Sequence, residues 1–280
     1  MRILWATDIH LDAAELETAE AFCTAVNEQA AETLLLGGDT ADGPELDHWL
    51  EFLADRIEVP IRFVLGNHDY YGSSIAKTRE GMLRYKNEKL SWLPAAGVVQ
   101  LGERIALVGE GGWGDARLGD FDRSPIVLTD YLAIKELAQV FDLDTFDGDL
   151  STQKALKEAL MDLGTHAANS LRPALLRAVS ENRHVLVLTH VPPFKESCWY
   201  QGEPTDDHWL PGFSCKAMGD LLLEAARDHP ECRVTVFCGH THGHGVADML
   251  PNLRVHTGEA RYGTAGFNAV EIENDRVAVT

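Results

Sequence analysis

Five short apolar runs, each ending in Asp, Asn or His, set the tightest limit on how this chain can fold. Arg2 to Ala6 leads into Asp8-Ile9-His10, and Thr33 to Leu36 into Gly37-Gly38-Asp39. Ile61 to Leu65 leads into Gly66-Asn67-His68-Asp69, Val185 to Thr189 into His190, and Val234 to Cys238 into Gly239-His240-Thr241-His242. Short apolar runs bounded by turn residues read as buried strands. Helical spacing fills the first two gaps: Leu16, Ala19, Phe22, Val26 and Ala30 share one face, and Pro44 opens a helix carrying Trp49, Leu50, Leu53 and Ile57. This β-α-β-α-β rhythm predicts a parallel sheet with right-handed crossovers. Ligands bind beyond the carboxyl ends of such strands, where the loops converge, so the polar ends are expected to share one crevice.

The middle of the chain reads differently. Val98 to Leu101 and Ile105 to Val108 flank Gly102-Glu103 and predict a hairpin, followed by a glycine-rich loop over 109–115. Residues 130–180 look helical, with Leu156, Ala159, Leu160 and Leu163 on one face and Pro173 starting a new helix or kinking this one. No strand interrupts that stretch, so 111–183 is expected to be a helical insertion within a single domain spanning 1–280. After it, a long polar and aromatic loop runs from Val191 to Phe213, and Ser214 is positioned to cap a helix ending near Asp228. Leu253 to His256, Phe267 to Ile272 and Val277 to Val279 are expected as short antiparallel strands.

Charge narrows the possible partners. Among 280 residues there are 24 Lys+Arg and 44 Asp+Glu, a formal charge of −20. Such an excess argues against duplex nucleic acid and anionic membranes, because there is no counterion-release gain. A small phosphorylated substrate stays open, since bound divalent cations reverse the local field. No apolar run approaches the roughly 18 residues of a membrane span, and Met1 to Asp8 lacks the apolar centre of a secretory signal, so a cytoplasmic location is expected. The five cysteines are odd in number and contain no CxxC pair, which predicts reduced, mostly buried thiols rather than a disulfide framework or zinc knuckle.

The strand-end residues are metal ligands by type. In Asp8-x-His10 and His240-x-His242 the two-residue spacing puts both side chains on one side of an extended strand end. Glycines before Asp39, Asn67 and His240 permit close backbone approach beneath them. Mixed oxygen and imidazole donors suit zinc, manganese, iron, cobalt or nickel better than calcium.

The ordered set Asp8-x-His10, Gly38-Asp39-x-x-Asp42, Gly66-Asn67-His68-Asp69, His190 and Gly239-His240-x-His242 resembles the calcineurin-like metallophosphoesterase superfamily. The resemblance implies an α/β fold built as a four-layer α/β/β/α sandwich, with two central mixed β-sheets flanked by helices. It implies a cofactor of two divalent transition-metal ions, one held by Asp8, His10 and His242 and the other by Asn67, His190 and His240, with Asp39 bridging both. The implied reaction is hydrolysis of a small phosphomonoester or phosphodiester by a hydroxide bridging the metals. His68 then becomes the catalytic histidine that protonates the leaving alkoxide, and Asp42 the carboxylate that orients it, an Asp42–His68 dyad.

Departures from particular branches restrict the substrate. Asp42 stands where purple acid phosphatases place a tyrosine ligand. Gly43 and Asp69 replace residues typical of protein Ser/Thr phosphatases, and the acidic charge argues against the DNA-repair nuclease branch. Tyr70 and Tyr71 are candidates to stack on a substrate, the loop 111–115 with Trp113 and the segment Phe194 to Trp209 are candidates to line the pocket, and Lys195 and Arg117 are the cations best placed by sequence to meet a phosphate. His244 reads as lying just outside the ligand set, and the remaining histidines as surface or structural. The alternative is a catalytically inactive binding scaffold with the same fold. Retention of every ligand together with His68 favours the enzyme.

Overall fold

The computed structural model describes residues 1–200, 202–273 and 276–280. In chain order the strands begin β1 (Arg2–Ala6), β2 (Leu34–Gly37), β3 (Ile61–Val64), β4 (Leu90–Trp92), β5 (Val99–Gly102), β6 (Ile105–Gly109) and β7 (His184–Leu188). A short hairpin of β8 (Trp199–Tyr200) and β9 (Glu203–Pro204) follows. The last are β10 (Arg233–Cys238), β11 (Gly245–Leu250), β12 (Leu253–Thr257), β13 (Asn268–Glu273) and β14 (Arg276–Val279). They build two six-stranded sheets, ordered β14-β13-β1-β2-β3-β4 and β11-β12-β10-β7-β6-β5.

Side-chain alternation along these strands makes the layers. Ile3, Trp5, Leu35 and Val64 of the first sheet pack with Leu107, Leu186, Leu188 and Phe237 of the second in one cluster. Trp5 and Phe237 lie at its centre, ring centroids 4.9 Å apart. The alternate residues Leu4, Leu36 and Phe63 turn outward toward helices Leu16–Asn27 and Leu46–Arg56, while Val185, Val187 and Val236 belong to the same outer-face core as helices Lys154–Glu181 and Lys216–Asp228. Both faces of the central strands are therefore covered, which is why their sequences are apolar throughout. The result is the expected α/β/β/α sandwich.

Several local expectations change. Leu16 is largely exposed and Ala30 lies past the helix end with φ 51°, so Ala19, Phe22 and Val26 form the buried stripe. The stretch 111–183 divides in two: 111–153 holds only short helical turns, whereas Lys154–Glu181 is one 28-residue helix, with Pro173 inside it, packed on β6 and β7 as part of an outer layer. β12 is parallel to β10 and pairs antiparallel with β11, a strand whose Gly-Val-Ala-Asp pattern gave no strand signal. β13 and β14 are antiparallel as expected. Ser214 is not a cap; its hydroxyl donates to Leu210 O at 2.6 Å, and Cys215 precedes the helix. All five cysteines are buried and unpaired. Among the described residues no helix is long and apolar enough to cross a membrane.

Candidate active site

β1, β2, β3, β7 and β10 deliver their following residues to one place, but not in the extended geometry read from the spacing. Asp8, His10, Asp39, His240 and His242 have φ between 39° and 67°, in the left-handed region. Asp, Asn and His tolerate this conformation better than most residues, and main-chain bonds hold it: Asp8 N–H donates to Gly38 O at 3.0 Å and His10 N–H to Asp39 O at 3.1 Å. The loops are close enough that a side chain at Gly38, itself at φ 90°, would meet Gly66 N at 2.5 Å.

Two donor clusters result. In the first, His242 Nε2 lies 3.3 Å from Asp8 Oδ1 and 3.4 Å from His10 Nε2. In the second, His190 Nε2 lies 2.9 Å from Asn67 Oδ1, with Asp39 and His240 beside it. Asp39 stands between them, its Oδ2 3.4 Å from His190 Nε2 and 3.9 Å from His10 Nε2. All seven residues proposed from the sequence converge here.

The donor chemistry fits a pair of divalent cations. His190 Nδ1 lies 2.9 Å from Gly37 O and His240 Nε2 3.0 Å from Gly212 O, so each ring spends one N–H on a carbonyl and turns its other nitrogen inward. Burial lowers the pKa of His10 and His240, favouring the neutral imidazole that ligates metals. Burial opposes the charged form of Asp39, but His190 beside it holds the carboxyl well below its usual range.

His68 lies beside His10 and the shared Asp39, its ring 4.7 Å from that of His10. Its main-chain N–H donates to Asp39 Oδ1 at 2.9 Å, and its Nδ1 lies 3.1 Å from Asp42 Oδ1. Burial works against a charged ring here, but Asp39 and Asp42 outweigh it and raise the pKa. The Asp42–His68 pair expected from the sequence is within hydrogen-bond reach.

A family model described as calcineurin-like phosphoesterase matches residues 1–244. The chain belongs to that family. Among solved structures, a dimetal phosphatase from Danio rerio is 16% identical with a TM-score of 0.61, over 100% of this chain and 95% of the other. Phosphopantetheinyl hydrolase from Mycobacterium tuberculosis is 15% identical with a TM-score of 0.56, over 93% and 89%. The anchor in the inner membrane complex of Plasmodium is 13% identical with a TM-score of 0.53, over 100% and 83%. At these identities the likeness is one of fold. No curated protein sequence matches the chain.

The cleft of this family member holds about 260 Å³ over the second cluster; beside His68 and the proposed ligands, Tyr71, Tyr200, Trp209, Phe213 and Tyr262 line it with Leu128, Thr129, Asp130 and Thr241, and no Lys or Arg does so among the described residues. Tyr262 is 56% exposed, its ring 4.4 Å from that of His10 and its hydroxyl 3.4 Å from His68 Nε2. Of the substrate-binding candidates, Tyr71 and, from the segment Phe194 to Trp209, Tyr200 and Trp209 line the cleft, while the others lie elsewhere. Tyr70 and Trp113 are buried against each other at 5.1 Å, because the 3-10 turn His68–Tyr70 sends Tyr70 inward and Tyr71 to the cleft. Lys195 pairs with Asp207 at 2.8 Å, and Arg117 with Asp115 at 2.9 Å. Sequence reasoning missed Asp69, Asp130 and Tyr262. Only Asp69 carried a signal, its place in the Gly66-Asn67-His68-Asp69 turn.

Proposed function

We propose that this protein is a dinuclear-metal phosphohydrolase whose preferred substrate is a small phosphodiester bearing an uncharged aromatic group. One observation carries the reading: the Asp39 carboxylate stands between two separate donor clusters, with Oδ2 3.4 Å from His190 Nε2 and 3.9 Å from His10 Nε2. A site built to hold one ion has no need of a carboxylate shared in this way. Asp8, His10 and His242 would hold one cation and Asn67, His190 and His240 the other. Two divalent cations, when bound there, supply the positive charge that attracts a phosphoryl group and lowers the pKa of water. Manganese, iron, zinc, cobalt and nickel all suit the donors.

The chain's own residues do the rest. His68 holds a proton at Nε2, facing the cleft, and passes it to the leaving oxygen. Asp42 accepts from the opposite ring nitrogen and fixes the ring. A cleft lined by Asp130 and, among the described residues, by no Lys or Arg supports a singly charged diester over a doubly charged monoester. Tyr200, Trp209 and Phe213 offer ring faces for a planar group. The charge of −20 supports a small substrate over duplex nucleic acid.

Pairing of β12 with β10 and of β13 with β1 supports reading 1–280 as one domain. Five unpaired buried thiols fit a reducing, cytoplasmic location. The inactive scaffold stays the rival reading, because a neighbour of this fold is described as an anchor. The complete ligand set with His68 favours the enzyme. Assaying bis(p-nitrophenyl) phosphate and p-nitrophenyl phosphate with manganese and with the other metals decides the matter. Faster turnover of the diester is expected, and no turnover of either ester would leave the scaffold.

A further inference from the structure

The irregular segment 111–153 places the Asp130 side chain directly against Asn67, one of the residues of the second cluster. Asp130 is buried at the N-terminal end of the short turn Asp130–Ala133, and its Oδ1 accepts from Asn67 Nδ2 at 2.8 Å and from the Tyr71 hydroxyl at 2.5 Å. Tyr71 also lies 3.1 Å from Asn67 Nδ2, and its ring faces that of His68 with centroids 4.1 Å apart. The segment is fastened to the loop after β3 by main-chain bonds. Gly72 N–H donates to Ala133 O at 3.0 Å, and Lys135 N–H to Ser73 O at 3.1 Å. Glu136 adds to this by accepting from Ile75 N–H at 2.9 Å and Ala76 N–H at 3.2 Å.

An asparagine amide has a donor end and an acceptor end of nearly equal size, and only the oxygen ligates a cation. A carboxylate accepts and does not donate, so Asp130 can face only the NH2 end of Asn67. Oδ1 is thereby turned to the other side, where it lies 2.9 Å from His190 Nε2. The negative charge also draws density toward Oδ1 through the amide, strengthening it as a donor.

We propose that Asp130 is a positioning residue that sets the direction of the Asn67 amide and so the affinity of the second cation, with Tyr71 carrying the same restraint to the His68 ring. The proposal rests on Asn67 being a ligand of a two-cation site. On this reading the segment 111–153 completes the metal centre from outside the strand-end motifs.

Metal-depleted protein titrated with Mn(II) tests this, by calorimetry and by metal analysis after dialysis. The parent is expected to bind two ions. Asp130→Asn, which can donate as well as accept, and Asp130→Ala are expected to keep the first ion at parental affinity and to weaken the second roughly 10–100-fold, the usual effect of removing a partner behind a ligand. Electron paramagnetic resonance at two equivalents should then change from a coupled pair to isolated Mn(II). Tyr71→Phe keeps the Asp130–Asn67 bond and is expected to change the second affinity less. Thermal unfolding of each metal-free variant identifies loss of fold. Folded Asp130 variants that bind both ions at parental affinity, or that lose both equally, overturn the proposal. A parent that binds fewer than two ions overturns the two-cation reading, and this inference with it.

Discussion

The Asp69 carboxylate accepts the main-chain N–H of Asp39 at 3.0 Å. It also accepts those of Thr40 (2.9 Å), Ala41 (3.2 Å) and Gly66 (2.8 Å), tying the loop after β2 to the loop after β3 beneath the shared ligand. Burial, and then the Asp39 charge, push its pKa up to about 7, while these N–H groups pull it down. Asp69→Ala leaves buried donors without an acceptor and is expected to lower the unfolding free energy of the metal-free protein by about 3–5 kcal/mol. Asp69→Asn, which keeps one oxygen, should lose less. Urea titration measures both, and a loss under about 1 kcal/mol for the alanine variant would remove Asp69 as the tie.

His68 donates to Asp39 through its main-chain N–H, which alanine retains. His68→Ala is therefore expected to lower turnover about 10²–10⁴-fold, the range for a general acid, with metal content unchanged. Asp42 is nearly half exposed, and an ion pair with such a partner is worth roughly 0.2–1 kcal/mol, so Asp42→Ala should lower turnover by no more than about fivefold. Steady-state kinetics beside metal analysis checks both. Metal loss in His68→Ala would mean that the ring is a ligand.

Trp209 packs on Phe213 with centroids 5.0 Å apart, and Phe213 on His240 at 5.2 Å, so the aromatic wall continues to a ligand. If substrate rings stack there, Trp209→Ala should raise KM for bis(p-nitrophenyl) phosphate about tenfold, the equivalent of a stacking contact near 1.5 kcal/mol. KM for a methyl diester should hardly change. Equal effects on both substrates would argue that Trp209 only shapes the cleft.

His256 supplies a pH dependence away from the metal centre. It is buried on β12 and stacked on Phe237, and burial, then Arg254 and His244, lower its pKa to about 4 against the opposing pull of Asp248. The unfolded chain binds this proton more tightly, so the stability linked to His256 is complete above pH about 6.5 and is lost as pH falls toward 4. The loss amounts to about 3 kcal/mol at most. His256→Phe keeps the stack and removes the titration, so its stability should fall less between those pH values. Urea midpoints across the range compare the two, and parallel curves would show that His256 does not titrate differently on unfolding.

How far these features can be read from the sequence varies with their chemistry. Asp8, Asp39, Asn67, His190 and His240 are legible because each follows a buried strand, and strand ends of an α/β sheet converge by topology. Their backbone was not, because Asp8-x-His10 has the same spacing whether the chain is extended or left-handed. Tyr70 and Tyr71 are equivalent in sequence, and only the turn over His68–Tyr70 separates the buried ring from the one in the cleft. Asp130 opens a stretch expected to be helical that holds only short turns up to 153, and Tyr262 lies in a stretch with no periodicity to place it. The helix Lys154–Glu181 was legible as a helix, but its amphipathic pattern does not say which sheet it covers.

The left-handed conformation at Asp8, His10, Asp39, His240 and His242 restricts what else could replace them. Glutamate and cysteine are serviceable metal donors, yet neither adopts such torsions readily, whereas aspartate, asparagine and histidine do. Two independent filters, one on the donor atom and one on the peptide carrying it, thus pass nearly the same short alphabet. A redesign toward thiolate or glutamate coordination would have to rebuild these turns before altering their side chains.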